Sequence, residues 1–588
     1  LFGGVVAVSL ASASSLQAAP YASNVVITGT TVDFILNEPA DSLTYSINGG
    51  GAIALNGATN GAKSFTLGSP TDTFSIIAEK NDPLGYTIPL DPPELAPGGG
   101  SRLGAATAKS GLNVISNDSN PLLRFYQPRG VGVNKNPNTA NFGTAYISNS
   151  TGGANVVEPI RTTEVGMYAV RADGSDAFGY GDTAQNPNVE GFPAFITSSS
   201  SSPYKTYVAD DGLVYVTDWS DANGNLFQFA PNIATATNVF PGFGGTQPLP
   251  PGQNHGSVTA VYVEGSTAGG DLTVYTIDED LTTNHLTGSG STTNFSSLWK
   301  YEINGGALPS AVVPTLVSDV LLDAGVIADV SRGADGKWYL SQYRNQSGGS
   351  SIFVLSPDGT TVLYSSLVDT NTNHPAEPRD ILQNVRGIAI SPDQNWLALA
   401  LLGSDVAVVP LVDGIPQLDD RLFVQTGDGA SFGGDVDFDA AGNIYYTSTS
   451  TSQERVRVLA PGGHTVTTLS YDGSTYDFDL QTIAPAGDDA DFDEDGDVDG
   501  ADFLAWQRHV EITDGSAQLA DGDANDDGDV DGLDLVIWKD QFGTATVASA
   551  PVPEPASWIM AALCSLAALV FNRRRLAPAV EWAARGRS

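Results

Sequence analysis

From Pro20 to about Pro485 apolar and polar residues alternate in short runs broken by Gly, Asn, Asp and Ser. That is the pattern of half-buried strands joined by tight turns, and no long helical periodicity interrupts it. Within 20–92, NVVITG, TVDFILN, LTYSING, AIALNG, KSFTLG and TFSIIAEKN recur at regular spacing and predict a small β-sandwich. A Pro/Gly-rich linker over 93–104 follows. Residues 105–485 then repeat a longer unit: strand, Gly/Asp turn, strand, loop, strand, turn. Copies begin at Arg129, Tyr207, Gly256, Ile327, Arg386 and Gly434, with an apolar, D-x-x-G, aromatic signature. A sheet unit repeated about six times predicts a β-propeller of about six blades.

Helical signals begin only near the C-terminus, where the chain writes one acidic loop twice. DFDEDGDVDGAD runs from Asp491 to Asp502 and DANDDGDVDGLD from Asp523 to Asp534. Oxygen side chains fall at loop positions 1, 3, 5, 9 and 12, and Gly at position 6 allows the sharp turn. Short carboxylates converging from alternate positions, with the position-7 carbonyl, suit a hard Ca²⁺ ion. Each loop leads into a short helix, ADFLAWQRHV or LDLVIWKDQFG, with Trp506 and Trp538 at matching offsets. Phe503, Leu504 and Val510, and likewise Leu535, Val536 and Phe542, are expected to form the faces the two helices share. The fold class expected is mainly β: a sandwich plus propeller, then an α-helical calcium module over 486–545 and one C-terminal hydrophobic helix.

The duplicated loop–helix pair resembles a type I dockerin. The resemblance implies Asp491, Asp493, Asp495, Asp497, Asp499 and Asp502 as ligands of one Ca²⁺, Asp497 through its carbonyl. It implies Asp523, Asn525, Asp527, Asp529, Asp531 and Asp534 for a second, Asp529 through its carbonyl. It also implies a cohesin-like protein partner. The family's recognition positions 10 and 11, often hydroxylated, are Gly500-Ala501 and Gly532-Leu533 here.

The blade repeat resembles six-bladed propellers of the NHL and gluconolactonase type, whose metal ligands commonly sit just before the innermost strand. Alignment of the copies puts Arg129, His255, Ala328, Arg386 and Gly434 at that place, with Asp329 and Asp435 one residue later. Guanidinium groups there oppose a metal lactonase and offer paired donors to carboxylate, sulfate or phosphate. Arg129, His255, Asp329, Arg386 and Asp435 are the candidate ligand site, with an acidic glycan as the ligand class. Bridges from the arginines to Asp329 or Asp435 would account for them equally well. In DWSDANGN, Asp218, Asp221, Asn223 and Asn225 read as an Asx-rich hairpin turn rather than a cation site.

The two ends of the chain bear on location. Residues 1–19 read as part of a secretory signal, with cleavage near Ala18 or Ala19. After a linker at 546–555, Val552-Pro553-Glu554-Pro555 precedes an apolar stretch ending in Arg573, Arg574 and Arg575, together 556–575. This order resembles a PEP-CTERM sorting signal. It implies transient inner-membrane anchoring through the C-terminal helix, a cytoplasmic tail at 576–588, and an exosortase-type processing enzyme that delivers the protein to the cell surface or beyond. The lone Cys564 lies inside the apolar stretch, so the exported part has no disulfide to rely on.

Charge narrows the partners. Twenty-six basic residues against 67 acidic ones give a net charge of −41, which repels nucleic acid and attracts divalent cations. No HExxH or P-loop occurs, and His255, His285, His374, His464 and His509 are scattered. Two readings stand: a calcium-stabilised surface protein binding a glycan or protein at its propeller, or a polysaccharide-degrading hydrolase, lyase or lactonase using the same propeller.

Overall fold

The computed structural model describes residues 19–82, then 112–483 outside a set of inter-strand segments (the longest being 240–257 and 279–296), and 490–542 outside a few short stretches, chiefly 494–497, 513–516 and 525–527. The chain forms two compact units, one ending at Ala484 and one beginning at Pro485.

The first unit is a propeller carrying a sandwich. Six antiparallel sheets form the blades. Their innermost strands are Pro128–Val133, Thr206–Val208, Val258–Glu264, Val326–Arg332, Val385–Ile390 and Gly433–Phe438, here blades 1 to 6. Each innermost strand packs beside the next, and that of blade 6 packs beside blade 1, so the ring closes. Strands one place outward are buried on both faces by neighbouring blades. Trp396–Leu401 is accordingly a continuous apolar run, WLALAL, with every residue buried. The turn after the innermost strand needs a left-handed residue, supplied by Gly212, Gly336 and Gly442 at φ of 80°, 82° and 80°.

The ring is closed by chain from before blade 1. Leu112–Val114 pairs antiparallel with Arg455–Pro461 as the outermost strand of blade 6. Just beyond, Asp118 accepts from Arg455 Nη1 and Arg457 Nη2, both at 2.8 Å.

The sandwich differs from its expected boundaries. Its three-stranded sheet comes from Ala22–Thr28, Thr31–Leu36 and Gly61–Thr66. Its five-stranded sheet includes Gly463–Tyr471 and Tyr476–Ile483, a hairpin the sequence pattern assigned to the propeller. Gly463–Tyr471 pairs along the whole length of Phe74–Asp82. The reason is physical: Phe74–Asp82 pairs with Ser42–Ile47 on one side only, and strand pairing across nearly 400 residues leaves no local mark in the sequence. Tyr21, Phe142 and Phe478 meet edge to face with centroids 5.5–5.8 Å apart, joining sandwich to blade 1. Ala19, at the expected cleavage point, is fully buried, its carbonyl accepting from Asn37 and Asn443 Nδ2 at 3.3 Å each.

The Asp118 charge reinforces the ring closure. Burial raises its pKa, but Arg457, Arg455 and Arg124 outweigh that and hold the carboxyl below its usual range. A depressed pKa stabilises the fold above the unfolded value of about 4 and is lost as pH falls through the folded value. Asp118 is 40% exposed. Asp118→Ala is therefore expected to cost about 1 kcal/mol at pH 7 rather than a buried pair's full value. Denaturant titrations of wild type and variant should converge as pH drops below the carboxylate range; an equal gap at every pH would contradict the electrostatic account.

Candidate functional site

The innermost strands enter the central channel through a β-bulge in five blades. Register slips between Pro128 and Gly130, Val258 and Ala260, Ile327 and Asp329, Val385 and Gly387, and Gly433 and Val436. A bulge re-aims the residues that follow it. At one level of the axis the blades alternate small and charged residues: Gly130, Ala260 and Gly387 in blades 1, 3 and 5, Lys205, Asp329 and Asp435 in blades 2, 4 and 6. The small residues are sterically required. A Cβ on Gly387 would lie 2.9 Å from the Asp435 Cα, and one on Gly130 would run into the Tyr204 carbonyl oxygen.

The three charged side chains meet. Lys205 Nζ lies 3.2 Å from Asp329 Oδ2 and also bonds Asp435 Oδ1. Val131 N donates to Asp435 Oδ2 and Ile388 N to Asp329 Oδ2, each at 3.0 Å. The carboxylates thus tie blade 6 to blade 1 and blade 4 to blade 5 while holding the lysine. Burial alone would lower the Lys205 pKa, but Asp329 and Asp435 raise it above its ordinary value, so it stays an ammonium. Burial and then Asp329 push Asp435 up, against the pull of Lys205, since one ammonium cannot neutralise two buried carboxylates.

Sequence reasoning took Asp329 and Asp435 as ligand residues and missed Lys205. The structure uses both as internal counter-ions of that lysine. A signal was present: Lys205, Asp329 and Asp435 each stand seven residues before the turn glycine, Gly212, Gly336 or Gly442.

One residue nearer the strand entrance stand Arg129, Tyr204, Thr259, Ala328, Arg386 and Gly434. His255, expected there for blade 3, lies outside the described residues. In blade 3 that place is held by Thr259, whose Oγ1 donates to the Ile327 carbonyl at 2.7 Å. Arg129 and Arg386 flank the side-chain-free Gly434 and repel one another. Burial first, then Arg386, lowers the Arg129 pKa to about 10. Arg129 Nε donates to Ser150 Oγ at 3.2 Å and Nη2 to Gln127 Oε1 at 3.3 Å. The Arg386 guanidinium stacks 3.9 Å from the Tyr343 ring centroid. Tyr204 lies in the field of both arginines and of Lys205, and its ring is 4.7 Å from Trp219. Its buried hydroxyl has no hydrogen-bond partner among the described residues. Two guanidiniums and a buried phenol thus stand together at this end of the innermost strands.

The opposite mouth, at the far ends of the same strands, opens into a cavity of about 210 Å³ lined by Lys135, Tyr262, Arg332 and Asp437. Its charges are matched internally: Lys135 pairs with Asp437 at 2.8 Å, and Arg332 with Glu264. A larger groove of about 550 Å³ lies on the outer edge of blades 4 and 5 and contains no predicted site residue. Asp218 and Asn225 face each other in a hairpin, as expected, with Asp218 accepting from Ser202 and pushed by burial to about 7. Asp221 and Asn223 lie outside the described residues. Gly429-Ala430-Ser431-Phe432-Gly433 has the G-x-S-x-G form of a nucleophile elbow. Such an elbow needs a strand-to-helix turn, whereas this string runs into the strand Gly433–Phe438.

In the second unit, helices Gly500–His509 and Gly532–Gln541 follow the two acidic loops. Asp491, Asp493 and Asp502 converge with ligand oxygens within 4.8 Å, and Asp491 and Asp502 are buried. Three carboxylates at that separation could hold a cation, and an all-oxygen set suits Ca²⁺. Asp502 is held at both oxygens, by Phe492 N at 2.7 Å and Asp499 N at 2.7 Å. Asp534 repeats this with Ala524 N at 2.8 Å and Asp531 N at 2.7 Å, and Asp523 is buried beside it. Asp495, Asp497, Asn525 and Asp527 lie outside the described residues.

Of the helix-face residues expected, Phe503 meets Trp538 of the other helix at 5.0 Å between ring centroids, and the Val536 side chain lies outside the described residues. Leu504, Val510 and Phe542 are exposed, and the interior is built from Phe492, Val498, Ala524, Trp506, Ile537 and Trp538. Loop residues fill it because the two loops, rather than the helix flanks, face inward.

Residues 489–542 match the family model of the dockerin type I domain. No curated protein matches the chain. Among solved structures, the WD40 β-propeller domain of Doa1 is 11% identical, covering 57% of this chain and 94% of that one, with a TM-score of 0.34. Streptogramin B lyase is 11% identical over 60% and 99%, TM-score 0.30. A protein of unknown function from Bacteroides thetaiotaomicron is 11% identical over 75% and 98%, TM-score 0.34. At such scores none of them bears on activity. Among the described residues no helix is long and apolar enough to cross a membrane. The signal-like N-terminus and the Val552–Arg575 sorting motif lie outside them.

Removing the axial cation should be costly. Lys205→Met leaves two buried carboxylates without a counter-charge and is expected to destabilise the propeller by about 3–5 kcal/mol. Adding Asp435→Asn should recover part of that loss. A double variant no more stable than the single one in a denaturant cycle would contradict the ion triad.

Proposed function

We propose that this is an exported, cell-surface binding protein in which the propeller takes an acidic ligand, a glycan or a protein, at the Arg129–Arg386 mouth. The observation that carries this is the convergence of two like-charged guanidiniums with the buried, unused Tyr204 hydroxyl. Such an arrangement gains most when a carboxylate or sulfate enters between the cations. Trp219, half-buried beside Tyr204, supplies an apolar face of the kind a sugar ring prefers. In this reading Asp329 and Asp435 keep the mouth's floor rigid through Lys205 rather than touching ligand.

The dockerin-like unit attaches the propeller to a protein partner, of which a cohesin-like domain is the expected class. Its two loops would each hold one Ca²⁺ through the carboxylates named above, and the exposed Leu504, Val510 and Phe542 offer apolar contacts for docking. An exosortase-type enzyme acting at the Val552–Pro555 motif would deliver the protein to the surface after transient anchoring.

The test is a glycan array probed with residues 20–545 in calcium, with product analysis on each glycan bound. Uronic or sulfated glycans should bind without turnover. Arg386→Ala should weaken binding about 10- to 100-fold, from the loss of charge-assisted hydrogen bonds. Binding should also weaken as salt rises. Shortened or unsaturated products would instead establish the polysaccharide-degrading reading, and binding indifferent to both arginines would remove the mouth from the account.

A further inference from the structure

We infer that Trp506 and Trp538 are crossed positioning residues, each holding the calcium loop of the opposite half, so that filling one loop prepares the other. The inference rests on the reading of both acidic loops as calcium sites. Trp506 Nε1 donates to the Asp531 carbonyl at 2.7 Å, and Trp538 Nε1 donates to the Asp499 carbonyl at 2.9 Å. Asp499 and Asp531 are position 9 of loops 1 and 2, and each opens its own loop's helix. The two bonds are therefore equivalent by an approximate two-fold relation, and each runs between halves, never within one.

Position 9 is where these bonds act most strongly on the site. Asp499 N donates to the Asp502 carboxylate, and the Asp499 side chain accepts from Ala501 N at 2.6 Å. Asp531 N bonds Asp534 in the same way. Asp502 and Asp534 are the position-12 ligands, so the residue gripped by the opposite indole also orients the buried carboxylate of its own loop. The rings are locked together: Phe503 lies 5.6 Å from Trp506 and 5.0 Å from Trp538, and Gly522, at φ 104°, packs against the Trp506 backbone, where a Cβ would come within 2.6 Å of the Trp506 Cα. Ordering one loop fixes its Asp at position 9, which fixes the indole of the other helix, which begins at the other loop. Two sites sharing one ordering cost bind cooperatively.

The experiment is Ca²⁺ titration of the full chain by calorimetry. Wild type should take up two ions with positive cooperativity. Trp506→Phe/Trp538→Phe keeps aromatic packing, removes both N–H donors, and should bind two ions without cooperativity. The crossed geometry makes a sharper demand in single-site backgrounds. With loop 2 disabled by Asp523→Asn and Asp534→Asn, Trp538→Phe should weaken loop 1 about 2- to 10-fold, the worth of one hydrogen bond, while Trp506→Phe leaves it unchanged. With loop 1 disabled by Asp491→Asn and Asp502→Asn, the roles should exchange. Superimposable wild-type and double-variant titrations, or each tryptophan affecting its own loop, would overturn the coupling with calcium binding intact. No calcium uptake by wild type would overturn the calcium reading and the coupling with it.

Discussion

A buried carboxylate must find hydrogen-bond donors or a positive partner, and the propeller axis and the acidic loops are both arranged around that requirement. At the propeller axis Asp329 and Asp435 close on Lys205, which is 2% exposed. Those same carboxylates accept backbone N–H groups from neighbouring blades, so the ion triad and the seams between blades are one structure. In the C-terminal unit Asp491, Asp493 and Asp502 gather their ligand oxygens within 4.8 Å, a set that a divalent ion would neutralise. With 67 acids against 26 bases, the chain as a whole favours divalent cations as a second source of positive charge.

The alternation around the axis follows from space as well as charge. Six innermost strands meet where only three side chains fit at one level, so glycine or alanine occupies the other three places. One residue outward, the same crowding brings Arg129 and Arg386 together across Gly434. The triad sets one ammonium against two carboxylates at the floor of the cavity of about 210 Å³, whereas one residue along the strands two guanidiniums stand in each other's field.

Much of this was legible in the chain. Every blade copy read from the sequence begins at or beside an innermost strand, because the turn glycine and the apolar run are local features. The acidic loops were legible for the same reason. Lys205 was missed because the blade 2 copy was started at Tyr207, two residues late. In blade 3 the level of Lys205 and Asp329 was sought at Gly256, with His255 before it, because that diverged copy begins four residues ahead of Ala260. The 463–483 hairpin was assigned to the wrong sheet because its partner, Phe74–Asp82, is far away in sequence. Leu504 and Phe542 were expected inside because helical periodicity cannot register that loop residues take the interior.

The central claim is that two separate cation supplies hold two separate units. Hydrogen exchange read by mass spectrometry on the full chain, with calcium and then with chelator, tests it most directly. The account predicts that protection disappears over 490–542 and is unchanged in the innermost strands around Lys205. Loss of protection spreading into the blades, or a C-terminal unit indifferent to chelator, would contradict it.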